Sequence, residues 1–345
     1  MSEVGIGVIG AGGIARNYHL PAFQRVDGAR LIAVCDIDEQ SAREAASRFA
    51  IPHWTTDFRA LLRRSDIEAV AVFTTYHPKR EIILAAVEAG KHVFTQKPLA
   101  GSVAVGEELV AAAERANVRL VTSFMHRYQP ESRAARALLE AGAIGSLDFV
   151  RHRNATRKTF DRAVTWAGGV LDIGPHGIDL LRYLTGRSIT KVQALTDAYS
   201  AQAAGDLPRP EVDAVVPGRP VETLAVCNYE FDNGLLASHE IQWTTRAGVP
   251  QFSSEYYGQT GTLLLRAPLA PGPLAHRTAS DAAWAFPDLP TEPTRGVYHH
   301  QLFVDDVRND TRHSASARDG LATLRVLEAI YVSARDGVTV TLRGG

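Results

Sequence analysis

Short apolar runs alternate with amphipathic segments through the first third of the chain. Most of the runs are apolar throughout, which is typical of strands that are covered on both faces. The segments between them repeat their apolar residues with a helical period. The predicted strands cover 4–8, 31–35, 53–55, 69–73, 92–95 and 118–123, and the predicted helices cover 39–49, 58–62, 79–88 and 103–116. This alternation predicts βαβ units and a parallel, doubly wound sheet.

The pattern changes beyond about residue 123. Strand-like segments then dominate, with a hairpin signal at Asp232-Asn233-Gly234. The predicted strands cover 147–154, 189–195, 223–231, 235–243 and 261–265, the predicted helices cover 130–140, 178–184, 298–307 and 318–333, and long loops are expected at 201–220 and 267–293. We therefore expect an α/β fold with an N-terminal domain over 1–123 and a C-terminal α/β domain over 124–345. The second domain is expected to contain a largely antiparallel, open sheet.

The first predicted strand leads straight into a glycine-rich turn. Gly10, Gly12 and Ala15 have the G-x-G-x-x-A form of the dinucleotide-binding fingerprint, with Gly13 and Ile14 between them. The first glycine allows a tight turn, the second lets the backbone approach a pyrophosphate, and the small third residue lets the helix pack on the strand. The N-terminus of the following helix favours a phosphate because its N–H groups have no partner inside the helix. The N-terminal domain is therefore expected to be a Rossmann domain.

The second predicted strand ends in an acid, Asp36. It follows the fingerprint by about 20 residues, the spacing at which such domains bind the adenosine ribose. A 2′-phosphate would be repelled by Asp36, and Ile37 and Asp38 follow where an arginine would suit NADP. The expected cofactor is therefore NAD, with NADP less favoured. In the alternative interpretation, the glycines form an ordinary strand-to-helix turn and Asp36 caps the next helix.

Composition excludes several classes of function. The chain has 345 residues, enough for two domains, and its net charge is −1. That balance offers no charged surface for nucleic acid or an anionic membrane, and no apolar run is long enough to cross a bilayer. Cys35 and Cys227 lack metal-ligand spacing and are expected to be buried thiols in a reducing compartment. We expect a cytoplasmic protein with no metal, nucleic-acid or membrane partner.

Lys97 is a candidate catalytic residue because it follows the predicted strand over 92–95. The carboxyl ends of parallel strands share one edge, which places Lys97 at the expected nucleotide crevice. There an ammonium can hydrogen-bond a substrate hydroxyl and stabilise a developing alkoxide. The alternative is a surface lysine that follows a strand.

His176 is a candidate general base in the first turn of the predicted helix over 178–184. Pro175 suits such a turn because its fixed φ is already helical and it has no N–H. The positive end of the helix disfavours an imidazolium, which favours a neutral His176 that can accept a proton. Asp172, four residues earlier, can orient the imidazole or cap the helix. A purely structural role for both residues is the alternative.

Four segments of the chain resemble the family of glucose-fructose oxidoreductases, inositol dehydrogenases and rhizopine-catabolism oxidoreductases (Gfo/Idh/MocA). They cover 7–15, 81–99 with Lys97-Pro98, 172–179 and 327–331, and so extend over nearly the whole chain. The resemblance implies a Rossmann domain followed by an α/β domain whose open sheet forms an oligomer interface, giving a dimer or tetramer. It also implies hydride transfer between nicotinamide and a secondary alcohol of a sugar or cyclitol.

The same resemblance implies roles for particular residues. The catalytic lysine, aspartate and histidine of the family correspond to Lys97, Asp172 and His176. The substrate contacts expected in addition are His126, Arg127, His152, Asn154 and Trp166. Trp166 could stack on a sugar ring or simply pack in the core, and His152 and Asn154 could instead lie at a solvated strand edge.

Two departures from the family pattern lie close to the expected cofactor. Gln96 precedes the lysine where the family usually has glutamate, which removes a carboxylate beside Lys97. The loop that begins at Thr74 departs from the usual Thr-Pro-Asn, and Lys79 replaces a histidine. We expect the cofactor contacts to include Thr74, Tyr76, His77, Gln96 and Lys97, in addition to the fingerprint and the ribose-binding acid.

The expected substrate is a neutral polyol, because no cluster of arginines marks a phosphate site. Arg127, Arg153 and Arg157, near the expected crevice, leave a sugar phosphate or a sugar acid as an alternative substrate. Two other functions remain as alternatives. One is a glycosidase that retains NAD and oxidises its substrate transiently, and the other is a regulator that binds NAD without turnover. A regulator would not need Lys97 or His176.

Overall fold

A computed structural model of the chain describes residues 3–156, 168–197, 222–243, 252–266, 272–289, 291 and 296–342. Contacts divide the chain into two compact units. The first unit contains residues 1–128 and 291–321, and the second contains residues 129–290 and 322–345.

The first unit contains a six-stranded parallel sheet. Its strands are β1 (Val4–Ile9), β2 (Ala29–Cys35), β3 (His53–Thr55), β4 (Ala69–Val72), β5 (His92–Gln96) and β6 (Leu120–Ser123). They lie in the order β3-β2-β1-β4-β5-β6, and every neighbouring pair is parallel. This is the doubly wound Rossmann order, and it confirms the predicted fold. The strand order reverses between β1 and β4, so the loops after these strands flank one crevice.

Helices cover this sheet because their apolar residues repeat with a helical period. They are α1 (Leu20–Phe23), α2 (Glu39–Arg48), α3 (Phe58–Leu62), α4 (Tyr76–Glu88), α5 (Val103–Arg115) and, from the distant end of the chain, α9 (Val297–Asn309). Phe303 and Val304 of α9 belong to the same core as Ile6 and Val8 of β1. The sequence pattern placed everything after residue 123 in the second domain. The contacts instead assign residues 291–321 to the first unit, because the apolar face of α9 is buried there.

Two helix starts in this unit show features that the sequence pattern did not predict. A π-helical turn, Ala15–His19, precedes α1, and Pro21, which has no N–H to donate, lies just after that turn. Helix α4 begins at Tyr76 rather than at Lys79, so Pro78 lies in its first turn, where a missing N–H costs nothing.

The second unit contains an eight-stranded mixed sheet in the order β13-β12-β11-β7-β10-β9-β8-β14. Its strands are β7 (Leu147–Ala155), β8 (Ile189–Asp197), β9 (Leu224–Phe231), β10 (Leu236–Gln242), β11 (Phe252–Gly258), β12 (Gly261–Leu265), β13 (Leu274–Thr278) and β14 (Val340–Thr341). Strands β7 and β10 are parallel, and the other pairs are antiparallel. The expected largely antiparallel sheet is therefore confirmed, including the tight turn between β9 and β10.

The remaining helices are α6 (Pro130–Glu140), α7 (Gly168–Asp172), α8 (Gly174–Thr185) and α10 (Ala317–Asp336). The residues of α8 from 174 to 181 are buried, in keeping with its apolar composition. The prediction of a continuous loop over 267–293 was wrong, because β13 forms there and pairs with β12. Its proline and glycine neighbours concealed a strand whose stability comes from that pairing. The expected loop over 201–220 lies outside the described residues.

Candidate active site

The fingerprint loop has the backbone that a dinucleotide requires. Gly10 has φ +98°, and a Cβ at this position would lie 2.8 Å from the carbonyl carbon of Phe73, so glycine is required both by conformation and by space. At Gly12 a Cβ would meet nothing within 4 Å, which leaves its backbone open to a ligand. Gly13 is similarly open, and Ile14 is 43% exposed at the start of the helix. Open backbone before a helix N-terminus fits a pyrophosphate.

Asp36 lies beside that loop at the end of β2. Its Oδ2 accepts a hydrogen bond from the Ala11 N–H at 2.7 Å, and its Oδ1 accepts one from the Asp38 N–H at 3.0 Å. These bonds fix the carboxylate, and each oxygen retains acceptor capacity for a ribose hydroxyl. The N-cap of α2 is Asp38, whose side chain accepts from Ser41 N–H. Asp36 therefore connects the loop to β2 without capping the helix.

The residues expected to contact the cofactor in the loop after β4 are at least partly exposed. Thr74 is half-buried, and its hydroxyl donates to the Thr75 carbonyl at 3.1 Å. Tyr76 is half-buried and His77 is exposed, with ring centroids 4.6 Å apart. All three residues belong to the loop after β4 or to the first turn of α4. Their contacts with a cofactor stay predictions.

Polar groups beneath Lys97 hold its backbone. The Lys97 N–H donates to Oε1 of Gln96 at 2.9 Å. The ammonium of Lys79, in α4, donates to the carbonyl of Gln96 and, at 2.7 Å, to that of Pro98. The side chain of Lys97 is half-buried, whereas Gln96 and Lys79 are buried.

The amide of Gln96 starts a directional chain of hydrogen bonds. Its Nε2 can only donate, so Nε2 of His19, 2.8 Å away, accepts. The Nδ1–H of His19 then donates to Nε2 of His300 at 2.8 Å, and the Nδ1–H of His300 donates to the Gly296 carbonyl at 2.6 Å. Both rings are neutral in this arrangement. Burial lowers the pKa of His19 well below its ordinary value and that of His300 to about 4.

His126 and Arg127 lie in the short 3₁₀ turn after β6. His126 is half-buried. Arg127 is buried, and its guanidinium lies 3.6 Å from the carboxylate of Asp319 and over the ring of Phe124. Part of its charge is thus offset within the first unit. Their roles as substrate ligands stay predictions.

His176 and Asp172 are placed by the break between α7 and α8. Pro175 is in the first turn of α8, as predicted, and His176 follows it with 8% exposure. Asp172 is the last residue of α7, and its Oδ2 accepts a hydrogen bond from the indole N–H of Trp243 at 3.0 Å. Ile173 is the N-cap of α8. Trp243 therefore orients the carboxylate of Asp172.

A buried polar network lies under the start of α8. Oδ1 of Asn154 accepts from Nε2–H of His152 at 2.9 Å and from Nε2–H of His239 at 2.7 Å. Each imidazole accepts at Nδ1, from the hydroxyl of Ser254 at 2.6 Å and from that of Tyr229 at 2.9 Å, respectively. Burial lowers the pKa of His152 to about 4 and that of His239 well below its ordinary value. The network is therefore neutral.

This network contacts the backbone of α8 directly. Nδ2 of Asn154 donates to the carbonyl of Ile173 at 3.3 Å. A Cβ at Gly177 would lie 1.8 Å from Oδ1 of Asn154 and 2.7 Å from Nε2 of His152. His152 and Asn154 thus occupy the buried side of the sheet rather than a solvated edge, and they support the turn that carries His176. Whether they also contact a substrate stays a prediction.

The predicted residues fall into groups. The fingerprint loop and Asp36 lie together in the first unit, and His152, Asn154 and His176 lie together in the second. Lys97 belongs to the first unit, whereas Asp172 and His176 belong to the second. Their cooperation in one site stays a prediction. Trp166 lies outside the described residues.

Sequence reasoning missed three supporting residues: Lys79, His239 and His300. His239 did have a signal in the sequence. It lies two residues from each of the apolar residues Ala237 and Ile241 on β10, so it shares their buried face of the strand. The only sequence signal at Lys79 was that a lysine stands where the family usually has a histidine. His300 is followed by apolar residues with helical period, but nothing local links it to residues 281 positions earlier.

Two further features are absent from the described ranges of the chain. No helix in them is long and apolar enough to cross a membrane. They contain no group of three or more histidine, cysteine, aspartate or glutamate side chains suited to a metal ion.

Comparison with known families accounts for both parts of the chain. Residues 4–124 match the family described as an oxidoreductase family with an NAD-binding Rossmann fold. Residues 132–264 match the GFO/IDH/MocA C-terminal domain. The open fingerprint backbone and the fixed Asp36 carboxylate agree with the NAD-binding fold.

Relatives extend the similarity to nearly the full length. D-apiose dehydrogenase of Paraburkholderia graminis is 31% identical, covering 97% of this chain and 89% of its own. Inositol 2-dehydrogenase of Burkholderia multivorans is 30% identical, covering 96% of this chain and 94% of its own. The crystal structure of an oxidoreductase domain protein from Kribbella flavida is 26% identical, covers 100% of both chains and superposes with a TM-score of 0.86.

Proposed function

The chain belongs to the Gfo/Idh/MocA oxidoreductase family, and from this membership we propose that it is an NAD-dependent dehydrogenase acting on a secondary alcohol of a sugar or cyclitol. The observation that carries the proposal is similarity over almost the whole length to two dehydrogenases, one named for a sugar and one for a cyclitol. Both substrates are neutral and rich in hydroxyl groups. The same substrate class suits this chain.

The cofactor is assigned to the crevice that the loops after β1 and β4 flank, with Asp36 beside it at the end of β2. Gly10, Gly12, Gly13 and Ile14 would hold the pyrophosphate, and Asp36 would hold the ribose. NAD bound there would supply a nicotinamide ring as the acceptor of the hydride that leaves the carbinol carbon. A 2′-phosphate would meet the fixed carboxylate of Asp36, so NAD is preferred over NADP.

Three residues carry the proposed chemistry. His176 takes the hydroxyl proton of the substrate, and its position in the first turn of α8 favours the neutral ring that this step needs. Lys97 donates a hydrogen bond to the same oxygen and stabilises its developing negative charge. Asp172, oriented by Trp243, holds the imidazole or a neighbouring hydroxyl.

Other residues are proposed to select the ligand. His126, Arg127, His152, Asn154 and Trp166 are assigned to the substrate. Cofactor contacts are also assigned to Thr74, Tyr76, His77 and Gln96. The pairing of Arg127 with Asp319 supports a neutral polyol over a phosphate, because part of the charge of the guanidinium is already offset.

A panel of substrates tests the proposal. NADH formation is measured with NAD and, separately, NADP, against sugars, cyclitols and their phosphates. We expect turnover with at least one neutral polyol, and higher kcat/KM with NAD than with NADP. Turnover confined to phosphorylated compounds would contradict the substrate class, and turnover confined to NADP would contradict the role of Asp36.

The role of His176 has its own test. His176→Ala is expected to lower kcat about 100-fold or more while NADH still binds, because a positioned base contributes about 100- to 10,000-fold to the rate. His313→Ala, at an exposed position, is the matched control and should retain activity. Fluorescence titration measures NADH binding. An unchanged kcat in His176→Ala would remove this residue from the mechanism.

The same assays separate the two alternative functions. A glycosidase that retains its cofactor would purify with NAD that does not exchange, and it would release a leaving group without net NADH. A regulator would bind NADH but turn over none of the panel. Freely exchanging NAD with net NADH formation supports the dehydrogenase.

We also propose that the chain assembles as a dimer or tetramer through the open face of the second sheet. Tyr257, Phe149 and Leu236 lie side by side in register across β11, β7 and β10, and all three are exposed. An exposed apolar row of this kind is typical of an interaction surface. A cytoplasmic location is proposed from Cys35 and Cys227, which are buried free thiols.

A further inference from the structure

Lys79 is a lysine in an unusual place. It lies in α4 with only 1% of its surface exposed, although lysine is almost never fully buried unless it is paired. Its ammonium donates to two backbone carbonyls, those of Gln96 and Pro98. Both bonds go to neutral acceptors rather than to a carboxylate.

Such an arrangement is costly for the fold alone. An ammonium loses its hydration on burial, and carbonyls replace only part of it. Burial first, and then the nearby charge of Lys97, lower the pKa of Lys79 to about 7. An apolar residue at this helical position would avoid that cost. The two carbonyls must therefore matter for another reason.

The two carbonyls flank Lys97 on either side. The Lys97 N–H is itself held by Oε1 of Gln96 at 2.9 Å. Lys79 and Gln96 thus bind three backbone groups within three residues, the carbonyl of Gln96, the N–H of Lys97 and the carbonyl of Pro98. The backbone from which the Lys97 side chain extends is consequently fixed from inside the first unit.

We propose that Lys79 is a positioning residue for Lys97: it holds the peptide group that precedes Lys97 and the one that follows Pro98, so that the Lys97 ammonium reaches the substrate oxygen in one place. This inference rests on the proposed function, because it needs Lys97 in the reaction. Lys79 itself does not contact the substrate. Losing it leaves the charge of Lys97 intact but lets the loop move, and a displacement of about 1 Å can cost about 100-fold in rate.

A second lysine of the same unit provides the matched control. Lys91 donates to the carbonyls of Arg64 at 3.0 Å and Ile67 at 2.7 Å, so it also holds two backbone carbonyls. Neither carbonyl borders a residue of the proposed site. Lys91→Met therefore removes the same kind of interaction without touching Lys97.

The kinetic test is a double-mutant cycle. Lys79→Met, Lys97→Met and the double variant are compared using NAD and the best polyol of the panel. We expect Lys79→Met to lower kcat about 10- to 100-fold. In the Lys97→Met background it should have almost no further effect, because the group that it positions is gone. Lys91→Met should keep kcat within about twofold of the wild-type value.

A second measurement does not depend on turnover. Hydrogen exchange of the backbone amides of residues 96, 97 and 99 is followed in the wild type, Lys79→Met and Lys91→Met. We expect exchange at least about 10-fold faster in Lys79→Met alone, because local opening frees the Lys97 N–H. Fluorescence titration should give the same NADH affinity for Lys79→Met as for the wild type, within about threefold.

The outcomes distinguish this inference from the proposed function. Wild-type protein that oxidises no polyol refutes the proposed substrate class, and the exchange rates still decide whether Lys79 holds the loop. Unchanged exchange, or a loss of kcat that multiplies with that of Lys97→Met, overturns the positioning role. Failure of both Lys79→Met and Lys79→Gln to fold, where Lys91→Met folds, also overturns it and assigns Lys79 to the fold.

Discussion

At the scale of single residues, one amide group decides the state of two buried histidines. Gln96 donates to His19, and this sets the direction of every bond as far as the Gly296 carbonyl. A glutamate at position 96 could only accept when ionised. His300 would then present an acceptor to the Gly296 carbonyl, unless one imidazole carried a charge. Glutamine at position 96 therefore lets every hydrogen bond from Gln96 to the Gly296 carbonyl form while both imidazoles stay neutral.

Buried neutral histidines also make stability depend on pH. The pKa of His152 is lowered by burial to about 4, from an ordinary value of 6.5. Between these two values the unfolded chain binds a proton that the folded chain does not, so the free energy of unfolding falls as pH falls from 6.5 towards 4. For one such histidine the loss between pH 7 and pH 5 is about 2 kcal/mol.

Replacing His152 should therefore flatten the pH dependence. His152→Gln is expected to be less stable than the wild type at pH 7, because it disturbs the network. Between pH 7 and pH 5, however, it should lose about 2 kcal/mol less than the wild type. Urea unfolding at both pH values measures this difference. His53→Gln, at an exposed position, should follow the wild-type slope, and equal slopes in all three proteins would contradict the prediction.

At the scale of elements, α8 is seated on polar groups rather than on an apolar surface alone. The network around Asn154 holds the Ile173 carbonyl at the start of the helix and fills the space beside Gly177. Glycine is needed at this position for close approach, since no side chain fits between helix and network. Hydrogen bonds therefore set the distance between the sheet and the helix that carries His176.

Adding one methyl group tests this seating. Gly177→Ala is expected to destabilise the protein by roughly 3 kcal/mol or more, because Oδ1 of Asn154 cannot move without breaking its bonds. The new Cβ of Gly174→Ala, in the same helix, meets side-chain methyl groups of Ile241 at 3.2 Å, Leu327 at 3.4 Å and Val170 at 3.9 Å. This substitution should cost less than about 1 kcal/mol. Urea unfolding compares the two. Equal losses in the free energy of unfolding would contradict the prediction, because they would mean that the Asn154 network moves aside at little cost.

At the scale of the whole molecule, the second sheet has one face on which apolar side chains are exposed among the residues that the structure describes. Phe149 and Tyr257 stack there with ring centroids 6.2 Å apart, and Leu236 is 52% exposed beside them. Apolar side chains in register across three strands lose water when a second surface covers them. A second copy of the chain is the proposed cover.

Charge on this face should block assembly. Light scattering after size exclusion is expected to give the mass of a dimer or tetramer for the wild type and a smaller mass for Leu236→Glu. A buried glutamate without a partner is unfavourable in an interface. Trp54→Glu, an exposed apolar position on β3, is the control and should assemble normally. A monomeric wild type would refute the proposal.

The fold could be predicted from the sequence to the extent that its signals are local. The alternation of apolar runs, the fingerprint at Gly10 and Gly12, and the acid at Asp36 depend on neighbours within a few tens of residues, and the structure places all of them in one Rossmann sheet. Strand β13 lacked such a signal, because its stability comes from pairing with β12. Helix α9 was assigned to the second domain because its partners in β1 are nearly 300 positions earlier.

Local signals in the amino-acid order were enough to show which chemical groups this protein has and which backbone carries them: a glycine-rich turn, a lysine after a strand and a histidine in a first helical turn. What surrounds these groups became visible only in the folded chain. Lys79 under the Lys97 loop, the histidines behind Gln96 and the Asn154 network under α8 are contacts between distant segments. Burial and hydrogen-bond direction exist only once those segments meet, since both depend on what replaces water.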